Sequence, residues 1–408
     1  MTMNELELYF KSHYYARYER EHWDRYVEKK GLGLHVPSIH ITGTNGKGTT
    51  ASYIAAMYAA AGYRVGLFTT PSFYHSNEII KINGQEIPDS DMIRLFEQGR
   101  KDYEEFDLSS FEIQVAIAYA YFNEQKLDLA VIEVGMGGLL DATNIITPVL
   151  SIVTSVSLEH TAFLGRSVSE IAYSKGGIIK TEVPVLTGKL EETAESTLRE
   201  IARRHKAPYF VVDDYHNDHL TSDGFRFDYR PYQNLLIKTV ANYQLKNASI
   251  ALEATKILQG DFPVTEESVR AGLMAPTPIC RLERHGNIWI DGAHNPEAME
   301  ALMGCWGTIS EGKPVHVVFA AFKDKNIALE LPMLGKEAAD IALTTFDHPR
   351  ARSEEDYFLY ETDYPYTADF RKALTDDLRN HPDDVILVTG SLSFAGVVRQ
   401  YVIEELKR

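Results

Sequence analysis

Between residues 43 and 50 the chain reads Gly43-Thr44-Asn45-Gly46-Lys47-Gly48-Thr49-Thr50, after the apolar run VPSIHIT (36–42) and before a helical pattern. Each residue type has a mechanical use there. Glycines let successive backbone N–H groups converge on a phosphate, a helix N-terminus adds a positive dipole end, Lys47 neutralises phosphate charge, and the Thr49 hydroxyl can ligate Mg²⁺. Gly43, Thr44, Asn45, Gly46, Lys47, Gly48 and Thr49 are therefore the candidate nucleotide-binding residues. The competing reading is a glycine turn that only joins strand to helix; Lys47 and Thr49 in this context weigh against it. The loop departs from the G-x-x-x-x-G-K-[ST] form, because Gly48 stands between the lysine and the hydroxyl residue.

In open α/β sheets the ligand crevice lies at the carboxyl ends of the strands, so metal ligands belong where apolar runs stop. YRVGLFTTP stops at Thr69 and Thr70, LAVIEV at Glu133, and VLSIVTSVSLEH at His160. A hydroxyl, a carboxylate and an imidazole suit one Mg²⁺ beside a γ-phosphate. Taken singly, Glu133 also reads as a buried acid paired with a lysine, and His160 as a satisfied core histidine. Gly135, Gly137 and Gly138 do not form a dinucleotide fingerprint: the spacing is wrong and Asp141 follows too soon to be the ribose acid. They read instead as backbone passing close to the reacting groups, with Asp141, Thr143 and Asn144 near the substrate.

Elements that alternate strand and helix must position these residues. Strands are expected at 36–42, 63–69, 127–134 and 149–156, and helices at 49–61 and 110–123, which is the pattern of βαβ units around a mostly parallel sheet. A charged amphipathic helix is expected at 189–206, short antiparallel strands and turns at 209–237, and a helix at 244–259. MAPTPIC (274–280), with its prolines, is the linker candidate. Beyond it NIWID (287–291), PVHVVFAAF (314–322), DIALTTF (340–346) and DVILVTG (384–390) alternate with helical segments. The expected architecture is α/β: a P-loop NTPase-like, mostly parallel domain over residues 1–278, then a smaller Rossmann-like α/β domain over 279–408.

Composition narrows the function classes. With Lys+Arg 41 against Asp+Glu 58 the formal net charge is -17, which repels phosphate backbones and anionic lipid surfaces, so no nucleic-acid or membrane partner is expected. Two cysteines, Cys280 and Cys305, are too few for a disulfide framework, and the N-terminus lacks an apolar signal-type core. A cytoplasmic location is the expectation.

The phosphate-loop spelling G-T-N-G-K-G-T resembles the Mur ligase superfamily, in particular the folylpolyglutamate synthase and dihydrofolate synthase family. TTPSFYHSNEIIKINGQEI (69–87), FEIQVAIAYAYF (111–122), LDLAVIEVGMGGLLDATNII (127–146), SLEHTAFLGRSVSEIAYSKGGIIK (157–180), DGAHNP (291–296) and TGSLSFAG (389–396) fall in family order. The resemblance implies a Mur-type central domain and a Mg-ATP-dependent ligase. Such an enzyme joins L-glutamate to a folate or dihydropteroate carboxylate through an acyl phosphate, releasing ADP and phosphate. It implies catalytic roles for Lys47, Glu133, His160 and Lys175, and magnesium ligation by Thr49, Thr70, Glu133 and His160. Lys175 matches a lysine commonly carbamylated in the superfamily; unmodified, it reads as a salt-bridge lysine. Asn247, Arg281 and Asp291 match nucleotide contacts, Arg281 as a cation brought to the phosphates and Asp291 as a ribose ligand. His294 and Asn295 match a nucleotide or interface motif, although Asn295 before Pro296 also reads as a helix cap. Ser391 matches a position near the amino-acid site, or a turn after a strand. A monomer is the family default.

Departures from the family pattern concern the anionic substrate. Ile79 and Leu139 stand where the family has arginines, Ser72 and Glu159 replace a histidine and an aspartate, and Lys81 or Arg166 would have to supply the missing charge. Three alternatives to folate ligation follow. They are a superfamily ligase with another acid acceptor, a P-loop ATPase switch without ligation, and a phosphotransferase, for which no base is visible beside an acceptor.

Overall fold

The structure, a computed structural model, describes residues 1–13, 20–360 and 363–407; residues 14–19 of the N-terminal segment read above lie outside them. The chain forms two units: Met1–His219 with Arg226–Ile237 and Leu245–Ala275, and Leu220–Phe225 with Lys238–Gln244 and Pro276–Arg408.

The first unit is built on eight strands: β1 (Ser38–Thr42), β2 (Val65–Phe68), β3 (Ile80–Ile82), β4 (Gln85–Glu86), β5 (Leu129–Glu133), β6 (Leu150–Val153), β7 (Val185–Thr187) and β8 (Tyr209–Val211). Their order is β4-β3-β2-β5-β1-β6-β7-β8. The run from β2 to β8 is parallel, whereas β3 and β4 add an antiparallel edge. β1, β5 and β6 are buried along their whole length because helices cover both faces, which is why their sequences read as unbroken apolar runs rather than alternating ones. One core joins the sheet to the helices Asp89–Glu105 and Ser110–Glu124 and holds Leu6, Phe10, Trp23 and Tyr26 from the N-terminal helices. Another lies under Val168–Gly176 and Glu192–Arg204.

β1 lies between β5 and β6 and leads out to β2 on one side, so the sheet has its switch point at the carboxyl ends of β5, β1 and β6. Two sequence expectations are corrected here. Tyr209–Val211 is not antiparallel but the parallel partner of β7, and the strand expected over 149–156 stops at Val153. Thr154–Ser157 leaves the sheet because its polar groups bond to the phosphate loop instead. β9 (His216–Thr221), β10 (Gly224–Tyr229) and β11 (Tyr232–Ile237) make a separate three-stranded sheet.

In the second unit, β12 (Glu283–His285), β13 (Ile288–Ile290), β14 (Val315–Phe319), β15 (Asp340–Thr344), β16 (Tyr366–Thr367) and β17 (Val385–Thr389) are ordered β12-β13-β17-β14-β15-β16. All neighbours are parallel except β12 with β13. The α/β class expected from the sequence is thus present in both units. No helix among the described residues is long and apolar enough to cross a membrane.

The helix Glu266–Leu273 braces Lys47–Ala60, the helix that continues the phosphate loop. They meet at Gly272, where a Cβ would fall 2.4 Å from the backbone N and Cα of Met57. Gly272→Ala should therefore destabilise the first unit by about 1–3 kcal/mol, because main chain cannot yield as a side chain can. Urea unfolding of both proteins measures this; an unchanged midpoint would show that the helices move apart freely.

Candidate nucleotide and acyl-transfer site

Phosphate binding requires backbone N–H groups that no side chain has already satisfied. Gly46 occupies the N-cap of Lys47–Ala60 at φ 87°, ψ -8°, with no side-chain cap. A left-handed residue is needed there, and a Cβ would also strike Asn247 Oδ1 at 2.2 Å. Asn247 of the helix Gln244–Ile257 therefore lies directly against the loop at Gly46.

The loop is fixed from the side of β6. Thr44 N–H donates to Ser155 O at 2.9 Å and Asn45 N–H to Ser155 Oγ at 2.9 Å. Thr154 Oγ1 donates to Asn45 O at 2.6 Å, and Ser157 N–H to Thr44 Oγ1 at 3.0 Å. Gly43 has no room for a side chain, since a Cβ would lie 1.9 Å from Thr154 Oγ1. The Lys47 ammonium donates back to Gly43 O at 3.0 Å and Thr44 O at 3.2 Å, so a cation is held over the cradle.

Glu133, the last residue of β5, is 3% exposed. Its Oε2 accepts from Thr70 N–H at 2.9 Å and would lie 3.1 Å from a Cβ at Gly48. That contact explains the departure from the usual phosphate-loop spelling: a glycine between Lys47 and Thr49 leaves space for a carboxylate beside the loop. Thr49 is buried alongside, and Thr50 Oγ1 is buried with no hydrogen-bond partner among the described residues. Glu133 thus lies beside Thr70 and beside Gly48, the residue before Thr49 at a capless helix end, and a carboxylate with hydroxyl residues is the chemistry that suits a hard divalent cation. His160 sits at φ 50° before the short helix Thr161–Leu164, with Nε2 3.7 Å from Glu159 Oε1.

Lys175, in the last turn of Val168–Gly176, is 2% exposed. The glycine run passes against that turn: a Cβ at Gly138 would lie 2.8 Å from Lys175 O, and Leu139 N–H donates to Ser174 O at 2.7 Å. Asp141 and Thr143, expected near the substrate, are instead tied inward. Asp141 accepts from Met136 N–H at 2.9 Å and from Thr143 N–H and Oγ1 at 3.0 and 2.6 Å, while burial pushes its carboxyl up. Ile79 is packed into the core beneath, so its departure from arginine leaves no group at the surface, whereas Leu139 is 41% exposed. Lys81 lies 3.7 Å from Glu86.

In the second unit Arg281 stands between two residues with positive φ, Cys280 at 58° and Leu282 at 54°. A leucine in that region is strained and persists only where its surroundings hold it. Asp291 does the holding. Its Oδ2 accepts from Leu282 N–H at 2.8 Å and Tyr243 OH at 2.6 Å, and its Oδ1 from Ala293 N–H at 2.8 Å. Asp291 is 3% exposed, and these bonds make it an anchor for the segment carrying Arg281. Asn295 caps Pro296–Met303 through Ala298 N–H at 2.9 Å, the helix-cap alternative, and Ser391 caps Leu392–Glu404. His294 Nδ1 lies 2.7 Å from Gly292 O.

Sequence reasoning missed His40, in the middle of β1. Its Nε2 lies 2.9 Å from Thr143 Oγ1, which itself donates to Asp141, so Nε2 carries the hydrogen and Nδ1 is left buried, with no hydrogen-bond partner among the described residues. No motif marks such a residue; only its burial identifies it. Burial pushes its pKa down to about 3, against about 6.5 in an unfolded chain. The unfolded state therefore takes up the extra proton as pH falls below about 6.5, and stability is lost in that direction down to about 3. Unfolding free energies measured from pH 8 to pH 5 should fall less steeply for His40→Gln than for the wild type. Equal slopes would rule out a neutral buried imidazole.

The chain matches the Mur ligase middle domain over residues 41–255 and the Mur ligase glutamate ligase domain over residues 280–392. It is 34% identical over 386 residues to the folylpolyglutamate synthase of Lacticaseibacillus casei, covering 90% of each chain. It is 31% identical over 389 residues to the dihydrofolate synthase/folylpolyglutamate synthase of Bacillus subtilis, again covering 90% of each. Among solved structures it is similar to an FPGS-AMPPCP-folate complex, with a TM-score of 0.89 at 31% identity over 99% of this chain and 100% of that one. With both domains matched in order, the chain belongs to the folylpolyglutamate synthase and dihydrofolate synthase family of Mur ligases.

Proposed function

We propose that this protein is an ATP-dependent ligase that joins L-glutamate to the carboxylate of a folate or dihydropteroate acceptor, with ADP and phosphate as the other products. The observation that carries this reading is the capless phosphate loop with the Glu133 carboxylate seated against Gly48, in a chain whose relatives bear the names of that activity.

An acceptor carboxylate oxygen attacks the γ-phosphorus, ADP leaves, and the acyl phosphate is then attacked by the neutral amine of glutamate, expelling phosphate. Such transfers need positioning and charge neutralisation more than covalent help. The loop residues Gly43 to Thr49 and Asn247 are assigned the nucleotide. Lys47 is to turn from the loop carbonyls to the phosphates. Magnesium, when bound, would spread the developing phosphate charge, and Thr49, Thr70, Glu133 and His160 are the residues that would hold it. Arg281, presented by the second unit on a strained and anchored segment, is assigned the phosphates as well.

Burial supports Lys175 as a carbamylation site, since a lysine withdrawn from water is the kind whose neutral amine can add to carbon dioxide. Protein equilibrated with carbon-13 bicarbonate should show a carbamate resonance that is missing in Lys175→Arg; no resonance in the wild type would exclude the modification. The reading further places the enzyme in the cytoplasm as a monomer, consistent with two buried free cysteines.

The direct test is phosphate release from Mg-ATP with L-glutamate, comparing dihydropteroate, tetrahydrofolate and no acceptor, with product masses read in parallel. Release should require both acceptor and glutamate, and the product should be heavier by one glutamyl residue. Lys47→Ala and Glu133→Gln should each lower turnover by about a hundredfold or more while unfolding at the wild-type midpoint. The residues at Ile79 and Leu139 favour one second reading, a non-folate acid acceptor. Glutamate-dependent release with other carboxylic acids only would establish it, whereas release independent of any acceptor would point to an ATPase switch.

A further inference from the structure

The glycine run that follows Glu133 ends in two exposed leucines. From Gly135 to Leu140 it is packed on two helical segments. A Cβ at Gly137 would fall 2.7 Å from Leu164 Cδ2 of the short helix Thr161–Leu164, and Gly138 and Leu139 meet the last turn of Val168–Gly176. The two helices also touch each other. All three segments leave large apolar side chains in water: Met136, Leu139 and Leu140 are each at least 40% exposed, Tyr173 is 56% exposed and Phe163 77%. Single exposed apolar residues are ordinary, but five on three segments in contact mark a surface that takes a ligand.

Position and charge say which ligand. The run leads directly from Glu133, the carboxylate beside the phosphate loop, and passes against the backbone of Lys175, so a molecule lying on it reaches toward the groups assigned to acyl transfer. Gly135–Leu140 and Thr161–Leu164 carry no cation, and Val168–Gly176 carries only Lys175, which is buried. Cations at the turn that follows are engaged: Arg20 pairs with Asp24 at 2.8 Å and donates to Asp141 O at 3.1 Å, and the Lys180 ammonium donates to Asn144 Oδ1 at 2.7 Å. Of the two residues expected to supply charge, Lys81 lies beside Glu86, and Arg166 lies beside Glu170, which accepts its N–H at 2.6 Å.

A folate that already carries glutamate brings at least one carboxylate besides the one that reacts. Set against Leu139 and its apolar neighbours, that carboxylate loses water and gains no cation, a loss that the family's arginine at this place would have prevented. In dihydropteroate the one carboxylate is attached directly to a benzene ring, so everything up to the reacting group is aromatic and uncharged. We propose, resting on the ligase reading above, that Leu139 sets acceptor specificity: the apolar surface around it takes an aromatic acid whose only carboxylate is the reacting one, dihydropteroate, in preference to a folate already bearing glutamate. Phe163 and Tyr173 supply flat faces for the rings, and the enzyme adds the first glutamate rather than extending a chain.

The test compares kcat/KM for dihydropteroate and for tetrahydrofolate monoglutamate, with Mg-ATP and L-glutamate saturating, in wild type, Leu139→Arg, Leu139→Glu, Phe163→Ala and Tyr173→Ala. Wild type should favour dihydropteroate by about tenfold or more. Leu139→Arg should raise kcat/KM for the glutamylated acceptor by about tenfold, and Leu139→Glu, equally polar but opposite in sign, should lower it. A change caused by lost packing alone would move both variants in the same direction. Phe163→Ala and Tyr173→Ala, at exposed positions where folding is not at stake, should raise KM for dihydropteroate several-fold with little change in kcat. Equal or greater wild-type activity on the glutamylated acceptor would overturn this specificity while leaving the ligase intact, as would an acceptor ratio unmoved by Leu139→Arg. Turnover with neither acceptor would overturn the ligase reading itself, and the specificity with it.

Discussion

A phosphate loop must keep its amide hydrogens unspent and still hold one shape. In this protein the two demands are met by anchoring the loop through its other atoms. Thr154, Ser155 and Ser157 bind the side chains, carbonyls and outer amides of Thr44 and Asn45, leaving the helix beginning at Lys47 without a side-chain cap. The early end of β6 follows from this. Groups that would have continued the sheet ladder are used on the loop, and the polypeptide leaves the sheet at Val153. Gly43 and Gly46 are required because Thr154 and Asn247 approach too closely for a side chain.

The surrounding buried polar groups obey the rule that a charge or donor taken out of water must be matched. Asp141 collects three donors and holds the turn after the glycine run, with Thr143 linking it to His40. Glu133 is matched differently. It takes Thr70 N–H and faces Gly48, so its carboxylate stays at the edge of the cradle, where a cation and a phosphate would meet it. The contrast separates two buried acids: Asp141 collects its donors within its own turn, and Glu133 lies against the phosphate loop at Gly48.

The second unit uses strain where the first uses close packing. Positive φ on both sides of Arg281 costs about 1–3 kcal/mol per residue, and the Asp291 carboxylate offsets part of it by binding Leu282 N–H in a buried setting. Gly292 N–H adds a bond to Cys280 O at 2.9 Å. The outcome is one guanidinium carried on a backbone with little freedom.

Much of this was legible from residue order alone. Apolar runs bounded by turn residues located β1, β5, β6, β14 and β17, because strands buried on both faces have no alternation to hide. Glycines with a lysine and a threonine marked the phosphate loop, because that chemistry is local in the chain. The sequence by itself determined these things, together with the α/β class and the family. Only the tertiary structure decided how the polar residues divide between support and site. Asp291, Asn295, Asp141 and Glu133 all read as candidate or near-site residues, and nothing in their neighbours along the chain says which carboxylate or amide will be spent on backbone donors. That depends on partners as distant as Tyr243 for Asp291 and Thr70 for Glu133, and burial sets how strongly each must be matched. His40 was invisible for the same reason: an isolated histidine acquires meaning only when folding removes its water and supplies its neighbours.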